Sequence, residues 1–324
     1  MHLKILRVFC DVVGQRSFSL AADANGMTQS GASHMIHQLE EHLGVRLLDR
    51  SKRPFVLTQE GQTYYDGCRQ IVKRYDALEE SVRTLHDEVA GRVAVASIYS
   101  VGLSHMSQFV QQFVGQYPKA NVRLQYQHPD KVYDLVQNDR VDFGLVSYPR
   151  ASRTIKSLTW RDEPMVFVCS PGHRLAAHRQ IAIADLAGEA FVSLDCGLQI
   201  RHEIDKALAS RQVQVDVVME FDNIETLKRA VEIEAGVTLL PFPTVARELA
   251  AGSLATATLS DIELVRPLGI IHRRGAELGK TAQRFKQLLR GTRDASAPQD
   301  SVSTETNGHS VHRVEFEREK QITG

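Results

Sequence analysis

Apolar and polar positions change period several times along the chain, and each change predicts a new element. Leu6, Phe9 and Val13 recur at helical spacing and predict a first helix ending near Gly14. The stretch SFSLAADANGMTQSGASHMIHQLEEHL, from Ser17 to Leu43, predicts two more short helices around the turn signal Asn25-Gly26. Ser17 is placed to cap the first of these and Thr28 the second. In the second, Ala32, Ile36, Leu39 and Leu43 form one apolar stripe. Ser30, Ser33, His34 and His37 lie on another face with no apolar member. Beyond Gly44, Val45, Leu47 and Leu48 are core-like, and Phe55 to Leu57 reads as a short strand. Between them lies a basic tip, Arg50, Lys52 and Arg53, that ends at Pro54.

A longer repeat follows. Tyr64, Cys68, Ile71, Tyr75, Leu78, Val82, Leu85 and Val89 are spaced alternately by four and three residues, a heptad seam on a helix predicted from Gly61 to Val89. Mixed charges fill its other faces, which predicts pairing with a second chain. After Gly91 the period changes again. Strands are predicted at 92–96, at VRLQYQ, DFGLVS, MVFVCS (165–170), FVSL (191–194) and 213–221, then at VTLLP and PLGIIH, with helical spacing between them. Such alternation predicts βαβ units and a mainly parallel sheet. From Thr292 onward the chain is polar and nearly without apolar residues, and a disordered tail is predicted.

Composition adds limits. The 324 residues are 43% hydrophobic with no formal net charge, so the chain is no polycation, and any nucleic-acid reader must be a small part of it. Four scattered cysteines form no CxxC pair and no metal spacing with the histidines. Neither a signal-peptide core nor a membrane-length apolar run is present, which predicts a cytoplasmic protein without membrane partners. No Gly-rich phosphate loop, G-x-S-x-G elbow or H-E-x-x-H occurs, so neither an enzyme nor a cofactor is expected. A helix with one core face and one hydrogen-bonding face, beside a basic-tipped wing, instead suggests a helix-turn-helix that reads DNA.

The run from Leu6 to Gly61, including QLEEHLGVRLLDR and the LT-x-x-G ending, closely resembles the DNA-binding domain of LysR-type transcriptional regulators. The resemblance implies base or phosphate contacts from Thr28, Gln29, Ser30, Ser33, His34 and His37, with Arg53 in the wing. It departs from the family at Gly31, usually Ala, and at His34, often Arg or Gln. Histidine cannot make the bidentate guanine contact of arginine. The family also implies that the seam (Tyr64, Ile71, Tyr75, Leu78, Val82, Leu85) makes a homodimer, with a homotetramer expected beyond it.

The order of elements after Gly91 is similar to the family's effector-binding domain, two α/β lobes like those of type 2 periplasmic binding proteins. The expected layout is a winged helix-turn-helix over 1–60, a linker helix over 61–90, an effector-binding domain over 91–291 and a tail over 292–324. Lobe I would take about 91–163 and 268–291, and lobe II about 164–267, with crossovers near Glu163-Pro164 and Arg266-Pro267. A cleft at strand ends would then hold a small-molecule effector. Candidates are Ser97, Tyr99, Ser100, Ser147, Asp195, Cys196, Phe221 and Asp222. The helix beginning at Ser100 favours an anion at its free N–H groups, and the family suggests a small carboxylate or inorganic anion. Some relatives sense peroxide with a cysteine pair, but no second cysteine follows Cys196 closely, so a structural or pocket role is expected for it. A solute-uptake protein is the competing binding class, and the DNA-reader pattern argues against it.

Overall fold

The computed structural model describes residues 3–83 and 89–291. The predicted tail, Leu85 of the seam and the residues around it fall outside that range. Three helices open the chain: α1 (Leu3–Gln15), α2 (Phe18–Ala24) and α3 (Gln29–Leu43). Ser17 Oγ accepts the N–H of Leu20, and Thr28 Oγ1 accepts that of Gly31, which satisfies one orphan donor at each start. Gly44 ends α3 with φ of 70°, a left-handed turn that glycine adopts without strain. A two-stranded wing follows, β1 (Leu48–Asp49) antiparallel to β2 (Val56–Leu57). Phe9, Val12, Ala21, Ala32, Ile36 and Leu39 meet in the core of this bundle.

The next helix, α4 (Gln59–Arg83), begins two residues earlier than the periodicity predicts. The reason is local. Thr58 Oγ1 accepts the N–H of Gly61 at 2.9 Å, and a Cβ at Gly61 would sit 2.0 Å from the Leu47 carbonyl oxygen. The LT-x-x-G ending is thus a cap plus a close backbone approach that fixes α4 against the wing.

Lobe I contains β3 (Arg92–Ile98), α5 (Tyr99–Gln116), β4 (Asn121–Gln127), α6 (Pro129–Gln137) and β5 (Phe143–Ser147). The strand β6 (Ile155–Cys169) then runs out of it. Lobe II contains β7 (Gln180–Ile181), β8 (Ala190–Leu194), α7 (Gln199–Ser210), β9 (Asp216–Phe221), α8 (Ile224–Glu232), β10 (Thr238–Pro241), α9 (Ala246–Ala251) and β11 (Ala255–Leu259). The strand β12 (Val265–Arg273) returns to lobe I, and α10 (Lys280–Gly291) closes it. Each lobe has its own core. Phe113, Phe143 and Phe285 anchor the first, and Phe167, Phe191 and Leu239 the second.

The expectation of a mainly parallel sheet needs correction. β3 is parallel to β4 and β5, and β8 to β9, but the spine is antiparallel. In that spine β6 pairs with β12, β10 and β11. Nor is β6 confined to the apolar run 165–170. Its first ten residues alternate around charged positions and pair with β12, while Met165–Cys169 lie in the lobe II core. One strand therefore belongs to both cores. The two strands cross between lobes side by side, with Glu163 opposite Arg266 and Pro164 opposite Val265.

Candidate nucleic-acid interface and interlobe cleft

On α3 the apolar stripe Ala32, Ile36 and Leu39 is buried, as its spacing requires. Thr28, Gln29, Ser30, His34 and His37 are exposed, and Ser33 is half-buried between the two faces. The structure therefore brings the sequence-predicted reading residues onto one solvent-facing surface at the start of the helix. Both histidines have partners on their own helix. His34 Nε2 lies 3.1 Å from Gln38 Nε2, and His37 Nε2 lies 3.2 Å from Glu41 Oε1.

Beside α3, Lys52 and Arg53 are exposed at the wing tip. Arg50, at the start of the same turn, is exposed but tethered. Its guanidinium stacks over Phe18 at 5.5 Å and donates to Glu40 Oε2 at 3.3 Å. Glu40 also accepts the N–H groups of Leu47 and Leu48 at 2.8 and 3.1 Å. Sequence reasoning missed this clamp. Its signal was a carboxylate next to the buried stripe, at the step from Leu39.

The heptad seam divides into three. Cys68 is buried in the N-terminal core, and Tyr64 is half-buried 5.7 Å from the Phe9 ring, so neither belongs to a free seam. Ile71, Tyr75, Leu78 and Val82 are 54%, 41%, 60% and 57% exposed, four large apolar groups in a row on a described helix. Val89 lies in the lobe I core. An apolar groove lined by Leu6, Leu43, Val45, Tyr64 and Ile71 continues from the exposed row onto the bundle.

At the crossovers the structure assembles a buried polar cluster that the sequence showed only as two charge–proline pairs. Arg266 and Glu163 are each 1% exposed. Arg266 Nε donates to Glu163 Oε2 at 2.8 Å, with Nη2 on the same oxygen, and Nη1 donates to Ser100 Oγ at 2.9 Å. Glu163 Oε1 lies 2.5 Å from His105 Nε2, and Arg161 Nη1 approaches His105 Nδ1 at 3.4 Å. With Arg161 donating to Nδ1, the imidazole proton sits on Nε2, facing Glu163. Burial alone would push the Glu163 carboxyl up, but Arg266 and His105 together hold it below its ordinary 4.5. Tyr148, at φ of 47°, packs from the end of β5 onto the lobe II core. Its buried hydroxyl has no hydrogen-bond partner among the described residues, and burial pushes its pKa to about 12.

The other cleft candidates divide unevenly. Ser97 is fully buried and its hydroxyl donates to the Ile98 carbonyl at 3.0 Å. Tyr99 is exposed, its ring 6.4 Å from that of Tyr126, and Ser147 is half-buried opposite Leu268. In lobe II, Asp195 N–H donates to the Phe221 carbonyl at 2.8 Å, which brings those two positions together. Asp195 Oδ1 accepts the Gly197 N–H at 2.7 Å, and Asp222 accepts from Asn223. Asn223, not Asp222, caps α8. From lobe I, Arg150 donates across to Gln199 at the start of α7, near exposed Cys196. The four cysteines are free thiols, with Cys10 and Cys169 pushed by burial to about 12 and 11.

Known proteins share both halves of this arrangement. Residues 3–62 match the family described as bacterial regulatory helix-turn-helix protein, lysR family, and residues 86–294 match the LysR substrate binding domain. The RuBisCO operon transcriptional regulator of Allochromatium vinosum is 26% identical over 293 residues, 89% of this chain and 96% of that protein. Full-length CbnR, solved in complex with target DNA, is similar with a TM-score of 0.63 at 17% identity, covering 90% of this chain and 99% of its own. The CcmR regulatory domain of Synechocystis, solved with 2-PG, covers 62% of this chain and 96% of its own, with a TM-score of 0.56 at 24% identity.

Proposed function

The chain belongs to the LysR family of bacterial helix-turn-helix regulators, and on that premise we propose that it is a promoter-specific, ligand-responsive transcription regulator. The first turn of α3 reads operator DNA. Gln29 suits adenine N6 and N7, while Ser30, Ser33 and Thr28 reach base edges or phosphates. Lys52 and Arg53 contact the backbone or minor groove beside it. The carrying observation is the two-sidedness of α3, with Ala32, Ile36 and Leu39 locked in the core and the polar face left to solvent. The test is electrophoretic mobility shift on the gene's own upstream region. Sequence-dependent binding that weakens steeply with salt is expected, and its absence would sink the reading.

The exposed row Ile71, Tyr75, Leu78 and Val82 pairs with the same row of a second copy, since burying each such side chain contributes roughly 1.5–3 kcal/mol. Two tied readers then require two half-sites at matched spacing. Leu78→Glu with Val82→Glu should make the chain monomeric and abolish specific binding, with the bundle still folded by circular dichroism. Unchanged operator affinity would refute the pairing.

The effector is a small anion held between the lobes, in the cytoplasm, by the N-terminus of α5 and the Ser100 hydroxyl. Ser100 connects that site to the Arg266–Glu163 pair at the crossovers, so a ligand that closes the lobes acts on strands shared by both cores. It shifts DNA binding only in proportion to its unequal affinity for the two arrangements. The 2-PG complex of the CcmR regulatory domain supports a small-molecule occupant. No helix among the described residues is long and apolar enough to cross a membrane.

A further inference from the structure

A cavity of about 690 Å³ lies between the N-terminal bundle and lobe I, walled by α1, α4, the first residues of β3 and β4, and the turn after α6. Its aspartates are engaged by other groups. Asp139 takes Lys73 at 2.9 Å and Arg273 at 2.7 Å, and Asp142 takes Lys73 at 3.6 Å and the Ala94 N–H at 2.8 Å. Asp76 holds Arg7, and Asp11 accepts the Asn25 amide at 2.7 Å. Glu79 bonds with Tyr75, and Glu277 is exposed.

Four guanidinium groups on the cavity wall are left over: Arg69, Arg92, Arg123 and Arg140. None has an ion-pair partner among the described residues. Arg123 pairs in register opposite Ala94, two residues from Arg92, so both arginines stand on one face of neighbouring strands. Arg69 and Arg140 share one aromatic ring, their guanidinium carbons 5.4 and 5.9 Å from the Tyr65 centroid. Partial desolvation against the wall and, less strongly, the neighbouring arginine lower Arg69 and Arg92 from the ordinary arginine value, while Asp139 acts the other way on Arg69 and Asp142, Asp11 and Asp76 on Arg92. The wall also carries the carboxylates already named, but these four planar guanidinium forks are left without an ion pair among the described residues and match the oxygens of phosphate-type groups.

We infer that this cavity is a second ligand site, separate from the interlobe cleft, for a compact oxyanion carrying two or more negative charges. Such an anion bridges α4, which carries the DNA-reading bundle, to the sheet of lobe I. Binding there fastens the bundle to the lobe, so this site biases the bundle's placement whatever occupies the cleft.

Pyrophosphate is the probe, titrated into the full chain by isothermal calorimetry at constant ionic strength, with melting temperature read in parallel. The expected result is saturable binding of one pyrophosphate per chain and a raised Tm. Arg92→Gln with Arg123→Gln should weaken it at least tenfold. These arginines are exposed, so an unchanged Tm without pyrophosphate shows that the variant folds, and Arg69→Gln gives an independent second lesion from the opposite wall. Ser100→Ala in the cleft and Arg53→Gln in the wing should bind as the parent does. Absence of saturable binding, full binding by the double variant, or loss in Ser100→Ala or Arg53→Gln overturns the site.

Discussion

The polar face of α3 and the Glu163–Arg266 cluster are both sets of hydrogen-bonding side chains, but they operate under opposite constraints. On this face of α3 the polar groups meet solvent and, among the described residues, bond only to near neighbours on their own helix, as Ser30 does to Thr28 at 3.1 Å. None is fixed by the core, and each can turn to a ligand. At the crossovers, Arg266 and Glu163 are removed from water, so each nitrogen and oxygen must be answered from within the fold. The two answer each other, with Ser100 on Arg266 and His105 on Glu163, and Arg161 stands behind His105. Exposed polarity is available for recognition and contributes little to stability. Buried polarity fixes one geometry and makes stability depend on it.

That contrast can be broken most forcefully at Arg266. Arg266→Met strands a buried carboxylate and should cost about 3–5 kcal/mol, read by urea denaturation. Adding Glu163→Leu should recover most of the loss, and a double variant as unstable as the single would refute the coupling. Because the Glu163 pKa is lowered by folding, the parent's cluster stabilises above pH 4.5 and loses that contribution as pH falls through the lowered value. The reverse pattern is expected on α3. Gln29→Ala should weaken operator binding by about 1–3 kcal/mol in a mobility shift while stability stays within ~0.5 kcal/mol. Thr28→Ala sharpens the boundary between the two behaviours. Its hydroxyl both faces solvent and accepts the Gly31 N–H, so about 1 kcal/mol of stability should be lost, seen as a lower denaturation midpoint.

The same contrast explains what could be read from the sequence. Ala32, Ile36 and Leu39 announce the buried side of α3 because a helix samples one period, and the exposed polar face follows by subtraction. The cluster at the crossovers has no such period. His105, Glu163 and Arg266 are far apart in sequence; β6 and β12 lying side by side set Glu163 opposite Arg266, and α5 brings His105 to Glu163. Charge–proline pairs located the crossovers, yet strand register alone placed Glu163 opposite Arg266. Tyr64 misled for a related reason. Its heptad spacing is real, but Phe9, from another helix, claims that part of the seam. The antiparallel spine was missed because residues 155–164 carry charges on a strand that two cores share.

A last consequence belongs to Gly61 and the helix it begins. Since the Leu47 carbonyl clamps the first turn of α4 onto the wing, the bundle has no swivel there. The 25 residues of α4 therefore behave as a threaded rod about 37 Å long, on which each residue advances 1.5 Å and turns about 100°. The direction in which α3 points, measured from the row Ile71–Val82, is a matter of screw phase as much as of distance. One residue more between Cys68 and Ile71 would swing the DNA-facing surface by over a quarter turn, whereas seven would restore its heading and only lengthen the span.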